Sequence, residues 1–411
     1  MHKLKLTVLI AVTALAALLA VRAPLGVDYT GPPATFCDCP ATPIRALAHG
    51  RVHDFLVTQP VMGGFSLILR APFAALGLHL GAGSDRDLYR LGVFPCLLAA
   101  GLLAVYLFGR LRELRRPALA CVLLPGLVAL NPLTNVALRY GHPEELLAAA
   151  LCVGALLAAA RGRSLTAGLL LGAAVATKQW ALLAVLPALA GAGRQRWRMA
   201  LAATATAAAL IVPMAAGDIH RFFHTNHGAG VITGSAMPTN IWFGFGTDVP
   251  VMILPNGATT PPRALPALIG TIAHPLILMA GFALALAWWR LRRGAPREDA
   301  LLLLALILLV RCLLDPITNG YYHLPFLMAL AAWEGLRRRG APLLTPAAAL
   351  LIALTSALAK GGITLVQLNA FYLSWALPFA GLLGVLAFRS AREAGVESVH
   401  VPREEVLRWA D

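Results

Sequence analysis

The chain has 411 residues, of which 59% are hydrophobic and 13% charged, with a mean hydropathy of +0.73. Soluble domains carry about 25% charged residues, so a water-soluble fold is excluded, and the net charge of +15 is not read as a nucleic-acid footprint, which would need one continuous basic patch. Unbroken Leu/Ala runs in place of alternation exclude an outer-membrane barrel and leave an all-α, polytopic transmembrane helical bundle with apolar residues for about 12 helices at ~20 residues each.

In chain order, Lys3 and Lys5 precede an apolar run over 6–21, read as an uncleaved first helix that starts in the cytoplasm. Residues 22–88 form a long first extracytoplasmic loop carrying surface helices; it holds Asp28, Asp38, Asp54, Asp85 and Asp87 among many Pro and Gly. Within it 61–81 is apolar but contains Arg70 and Pro72. Counting it as a crossing would put Arg110–Arg116 outside, so it is expected as an amphipathic or re-entrant helix at the outer surface. Further crossings are expected at 89–109, 117–134, 143–160, 165–177, 179–192, 199–216, 264–289, 300–316, 320–336, 342–359 and 370–388.

Between these runs lie basic clusters: Arg110, Arg112, Arg115 and Arg116; Arg161 and Arg163; Arg194, Arg196 and Arg198; Arg290, Arg292, Arg293 and Arg297; Arg337–Arg339; and Arg389 and Arg392. Lys/Arg excess marks cytoplasmic loops, which places both termini in the cytoplasm of a multi-pass protein of the cytoplasmic membrane. A single helix between Arg163 and Arg194 would export the next basic cluster, so two short helices tipped by Lys178 are expected there. Residues 1–392 are then one membrane domain, 218–263 a second extracytoplasmic loop, and 393–411 a cytoplasmic tail.

Acidic residues outside the cytoplasmic loops gather on the opposite side, where chemistry is sought. Asp38, soon after the first helix, has the place of a general base, although a residue before Pro40 and a helical run also suits an N-cap; Asp28 and Asp54 are the alternative catalytic carboxylates. Lys178 inside an apolar hairpin requires an anion, water or an acidic partner. In Arg139-Tyr140-Gly141-His142-Pro143-Glu144-Glu145 the two glutamates suit the first turn of a helix, with His142 as a hydrogen-bonding site residue. Arg311 and Asp315 stand one helical turn apart and can pair with each other, ahead of Asn319-Gly320-Tyr321-Tyr322-His323 at the outer surface.

His220, His224 and His227 have metal-like spacing, but no glutamate base lies between them, so they are read as surface histidines. No metal site is assigned. Cys96, Cys121, Cys152 and Cys312 lie in apolar runs and are expected in the core, whereas Cys37 and Cys39 flank Asp38 in a polar loop.

One short first helix, a long outer loop with an early Asp, many helices and a Gly-x₅-Lys hairpin together resemble GT-C integral-membrane glycosyltransferases, most closely the actinobacterial polyprenyl-phosphate-mannose-dependent α-mannosyltransferases. The residues that carry the likeness are Asp38 with Gly50 twelve positions on, Gln59-Pro60-Val61-Met62 through Arg70-Ala71-Pro72-Phe73, Gly141-His142-Pro143-Glu144, and Gly172 through Lys178. Cys39-Pro40 and Gln59-Pro60-Val61 stand where the family usually has an aromatic or aliphatic residue and a Tyr-Pro-Pro-like segment.

The resemblance implies transfer of a hexose, mannose first among them, from a polyprenyl-phosphate donor to a lipid or glycan acceptor at the outer face of the membrane. Asp38 would be the base and Lys178 the contact to the leaving phosphate. Arg70, Arg139, His142, Glu144, Gln59, Tyr322 and His323 complete the expected substrate-binding set, and no cofactor is implied. The rival function is a transporter or flippase for a lipid or small solute, using Lys178 and Arg311/Asp315 as a path; a non-catalytic envelope scaffold is the third.

Overall fold

The structure is a computed structural model that describes residues 2–30, 40–58, 63–223, 234–252, 260–291 and 295–397. The helices in chain order are α1 (His2–Arg22), α2 (Ala41–Ala48), α3 (Val52–Val57), α4 (Gly64–His79), α5 (Asp85–Glu113), α6 (Ala118–Ala129), α7 (Pro132–Tyr140) and α8 (Glu144–Ala160). They continue with α9 (Ser164–Val175), α10 (Val185–Gly191), α11 (Arg196–Gly217), α12 (Ala267–Leu291), α13 (Ala300–Leu314), α14 (Leu324–Arg337), α15 (Leu344–Leu358) and α16 (Leu365–Glu397). Among the described residues five stretches are long and apolar enough to cross a membrane: Asp85–Glu113, Ala118–Tyr140, Gly193–Gly217, Ala267–Leu291 and Leu365–Arg389. The chain is therefore a multi-pass helical membrane protein rather than a row of equal spans.

Composition explains which helices face lipid. The α13 run Leu301–Leu309 is buried on every side, as is Leu324–Leu336 of α14; a helix apolar all round belongs at the centre of a bundle. By contrast α11 buries only Met199 and Met214, presenting Leu201 and Val212 outward, and meets the rest mainly through α9. Gly168 and Gly172 of α9 make that contact close, since a Cβ on either would run into the α11 backbone.

Two features differ from the sequence expectation. The expected span over 117–134 lies within the membrane-length stretch Ala118–Tyr140, but its helix is interrupted, because the Asn131 side chain caps a new helix by accepting from the Leu133 amide (2.9 Å) and Pro132 takes its first position. The helix expected as amphipathic or re-entrant at the outer surface, α4, packs into the bundle with its charged side chain turned inward. Arg70 is on the buried face with Ser66, Leu67 and Ala74, while Ile68 and Leu76 point outward. The space for the guanidinium is supplied by α5, where Gly92 faces the Arg70 side chain.

The basic clusters do gather at one end of the bundle. Arg161 donates to the Tyr106 hydroxyl (2.9 Å), Arg196 lies over the Trp289 ring (4.9 Å), Arg116 reaches the Leu336 carbonyl, and Gly193 packs on Arg297. At the opposite end the segment 237–242 seals the end of α13. Met237 and Ile241 amides donate to the Pro316 and Leu313 carbonyls, and Trp242 Nε1 donates to the Leu314 carbonyl. Asn240, fully buried, adds a bond to Pro316. Beside it three two-residue strands, β1 (Ser235–Ala236), β2 (Thr247–Asp248) and β3 (Arg263–Ala264), pair antiparallel in the order β1-β3-β2.

Candidate active site

Two chain breaks meet at the end opposite the arginines. After α1 the chain turns inward: the Val27 and Asp28 amides donate to the Arg139 and Tyr140 carbonyls at 2.9 and 3.0 Å, and the Ala41 amide returns to the Tyr29 carbonyl at 3.2 Å. Gly26 lies so close to Gly141 that a Cβ would strike its Cα, and Gly141 itself ends α7 at φ +97°, a conformation glycine adopts without cost. This contact delivers Asp28 to His142. Tyr29 packs edge-on against Tyr89 (4.9 Å), and burial pushes its hydroxyl up to about 12, so it stays a phenol and is no base.

The second break is the hairpin tip. Residue Lys178 is extended between α9 and the turn at Gln179–Ala184, and Thr177 ties the tip down by donating to the Ala173 carbonyl (2.7 Å). The α4 entry docks there: the Gly63 and Phe65 amides donate to the Thr177 and Ala176 carbonyls at 3.0 and 3.1 Å. From the arginines at 161–163, α8 rises about 26 Å at 1.5 Å per residue, so its first turn lies near the far edge of a ~30 Å hydrocarbon layer. The shorter α9 plus its extended tip reaches the same height.

At that height the side chains form a continuous ion chain. Asp28 Oδ2 lies 3.2 Å from His142 Nε2, His142 Nδ1 3.0 Å from Glu144 Oε1, and Lys178 Nζ 3.1 Å from the same Glu144 oxygen. Lys178 is also 3.8 Å from Glu145 Oε1, Trp180 Nε1 donates to Glu145 Oε2 at 2.9 Å, and Arg70 Nη1 stands 3.9 Å from Glu144 Oε2. Arg311 lies over the Trp180 and Tyr322 rings at 5.4 and 4.6 Å, with Asp315 at 4.0 Å. Tyr321 stacks on His142 at 5.2 Å and 25°.

Access is graded along the chain. The Asp28 side chain is 25% exposed and Lys178 14%, whereas Arg70 and Glu144 are at 0%. The carboxylate at one end and the ammonium near the other are therefore the groups a substrate meets first. What lies between them is an internal counter-charge that keeps both in place. The arrangement can hold an anion beside Lys178 and accept a proton or a hydroxyl hydrogen bond at Asp28.

Of the residues expected from sequence, Asp28, His142, Glu144, Lys178 and Arg70 come together, and Tyr322 joins through Arg311. Asp38 and Gln59 lie outside the described residues. Asp54 does not join: on α3 it pairs with Arg51, the residue before that helix (3.4 Å), and both side chains are exposed, which keeps the charges in water. Arg139 contributes its carbonyl to Val27 while its side chain is exposed, because α7 turns that face away from the cluster. His323 belongs to a separate aromatic pocket, 2.9 Å from the Tyr372 hydroxyl and beside Trp375.

Glu145, Trp180, Tyr321 and Arg311 were absent from the expected binding set. The signal available for Glu145 and Arg311 was their charge inside apolar surroundings; Trp180 and Tyr321 carried none beyond proximity to Lys178 and Tyr322. Cys96, Cys121, Cys152 and Cys312 are buried thiols, as expected. Among the described residues no group of three or more His, Cys, Asp or Glu could hold a metal ion; His224 and His227 lie outside them.

Residues 63–316 match the profile of Glycosyltransferase family 87, a span that includes Arg70, His142, Glu144, Lys178 and Arg311 and begins after Asp28 and Asp38. No curated protein matches the sequence. Among solved structures, the archaeal oligosaccharyltransferase AglB from Archaeoglobus fulgidus, in complex with an inhibitory peptide and a dolichol-phosphate, is similar with a TM-score of 0.42 and 15% identity. That similarity covers 94% of this chain and 55% of AglB, so the chain spans about half the length of that protein.

Proposed function

Because the chain belongs to glycosyltransferase family 87, we propose that it moves a hexose, mannose first among the candidates, from a polyprenyl-phosphate donor to a lipid or glycan acceptor at the outer face of the cytoplasmic membrane. A sugar on a lipid phosphate cannot leave the bilayer, so its transferase must be embedded, with a cation at headgroup depth and a wet carboxylate beside it. The acceptor oxygen attacks the anomeric carbon, the bond from that carbon to the phosphate oxygen breaks with its electron pair going to the phosphate, and the configuration inverts. The proton of the acceptor hydroxyl passes to a first-loop carboxylate, Asp38 in the sequence reading, with Asp28 as the alternative.

The observation that carries this reading is the ion chain linking Asp28 to Lys178. Lys178 is the most exposed cation of the cluster, so of these cations it is the one a phosphate can approach. Arg70 stands behind Glu144 and supports that carboxylate. Opposite charge placed where the leaving group develops its own is among the larger catalytic contributions.

The test is sugar transfer in membranes carrying the full chain, with polyprenyl-phosphate hexoses as donors. Lys178→Met is expected to lower kcat/KM by about 10²–10³-fold, and Asp38→Asn to abolish transfer while donor binding persists. Undiminished transfer in Lys178→Met would overturn the proposed phosphate contact. Movement of intact lipid across the membrane with no glycosylated product would instead favour the transporter reading.

A further inference from the structure

His142 stands between two carboxylates, Asp28 at 3.2 Å from Nε2 and Glu144 at 3.0 Å from Nδ1. Ionised carboxylates only accept hydrogen bonds, so both contacts are satisfied only when each ring nitrogen carries a hydrogen. The groups that face the ring from the neighbouring elements agree with a cation there. Asp28 comes from the segment after α1, Glu144 and Glu145 from the first turn of α8, and Tyr321 covers one ring face with an aromatic surface that attracts positive charge. The neighbouring cations are Lys178, which shares the Glu144 Oε1 oxygen with the ring nitrogen, and Arg70, which stands beside the other Glu144 oxygen. Backbone pairing at Val27 and Asp28 and the Gly26–Gly141 contact fix both ends of the bridge.

We propose that His142 is a standing imidazolium that positions Asp28, and that Asp28 held in this way is the acceptor-side subsite, hydrogen-bonding a hydroxyl of a polyhydroxylated acceptor. This rests on the transferase reading with Asp38 as the base, and adds to it a division of labour. Lys178 meets the donor, Asp28 the acceptor, and His142 is a positioning residue that never gives up its proton during turnover. The bridge is present while the ring is charged and is lost as pH rises and the ring deprotonates, so acceptor affinity weakens on the alkaline side while donor affinity does not.

Two measurements test it, both on the full chain in lipid nanodiscs. Nitrogen NMR of isotope-labelled histidine, with His142 assigned by difference from His142→Gln, is expected to show both ring nitrogens protonated from about pH 6 to about pH 8; a neutral tautomer at about pH 7 overturns the imidazolium. With polyprenyl-phosphate mannose as donor and alkyl mannosides as acceptors, His142→Gln and Asp28→Asn are expected to raise acceptor KM about tenfold and change donor KM less than about twofold. The alkaline rise in acceptor KM expected of the wild type should be absent from His142→Gln.

Identical pH profiles in the two proteins, or equal changes in both KM values, overturn the positioning role. If the wild type transfers no sugar from any polyprenyl-phosphate donor, the transferase reading fails and the acceptor subsite with it, whereas the nitrogen shifts decide the imidazolium independently. Should His142→Gln fail to fold, Asp28→Asn, which preserves volume and sits at the exposed end of the bridge, carries the kinetic test.

Discussion

Glu144→Gln removes one charge and almost no volume from the middle of the ion chain. In the wild type the carboxylate is fully buried, with Lys178 at 3.1 Å, His142 at 3.0 Å and Arg70 at 3.9 Å. At an effective dielectric of about 20, a unit pair at the 3.1 Å Lys178 distance attracts by about 5 kcal/mol. Desolvating the carboxylate offsets several kcal/mol of the combined attraction, and a Gln amide oxygen keeps a neutral hydrogen bond; the net loss expected is about 3–5 kcal/mol, as for other buried pairs that lose one partner. The assay is the denaturant midpoint of unfolding for the purified protein in detergent, for Glu144→Gln, Lys178→Met and the double variant. Removing the second partner of a pair already broken costs less, so a coupling of about 2 kcal/mol is expected. Additivity within about 0.5 kcal/mol, or an unchanged midpoint in Glu144→Gln, would refute the claim that this carboxylate holds the site together.

Three further outcomes follow from neighbouring contacts. The Glu334 carboxylate, on α14, accepts from the Leu343, Leu344 and Thr345 amides and the Thr345 hydroxyl, all at 2.8 Å, and so caps α15 from outside its own segment; Glu334→Gln is expected to cost about 2 kcal/mol, seen as a lower unfolding midpoint with donor binding intact. Gly26→Ala would force the segment after α1 away from Gly141, with an overpacking cost of about 1–3 kcal/mol and a larger fractional loss of transfer than of stability, measured by comparing kcat/KM with the unfolding midpoint. Trp180→Phe deletes the indole bond to buried Glu145 and should destabilise by about 1–3 kcal/mol, while Trp180→His, which can restore a ring N–H, should recover part of it in the same unfolding measurement.

The burial of Arg70 on α4 shows where sequence reasoning stops. Arg70 and Pro72 in an apolar stretch point to a helix at the water boundary, since a lone arginine should seek the interface. The structure buries the arginine because a partner unknowable from local sequence, Glu144 some seventy positions later, stands behind it and because Gly92 leaves room. Lys178 was more legible. A lysine at the tip of a hairpin too short to span demands an anion within reach, and both readings open for it, a structural carboxylate and a substrate phosphate, remain compatible with the geometry. Asp54 and Arg139 carried the same kind of signal but lie on faces turned away, a fact fixed by helix rotation and not by residue type.

By itself the sequence determined the membrane class, the all-α architecture and the gathering of the basic loops at one end of the bundle, because these follow from summed hydropathy and charge, which act locally along the chain. Only the tertiary structure decided which charges meet. Asp28, the His142–Glu144 turn and Lys178 come from three separate stretches, and their order in the ion chain depends on a glycine–glycine contact, a capped helix break and the equal heights of two short helices. Pairing between distant charges is a property of packed distances of a few ångströms, and a linear pattern contains no term for it.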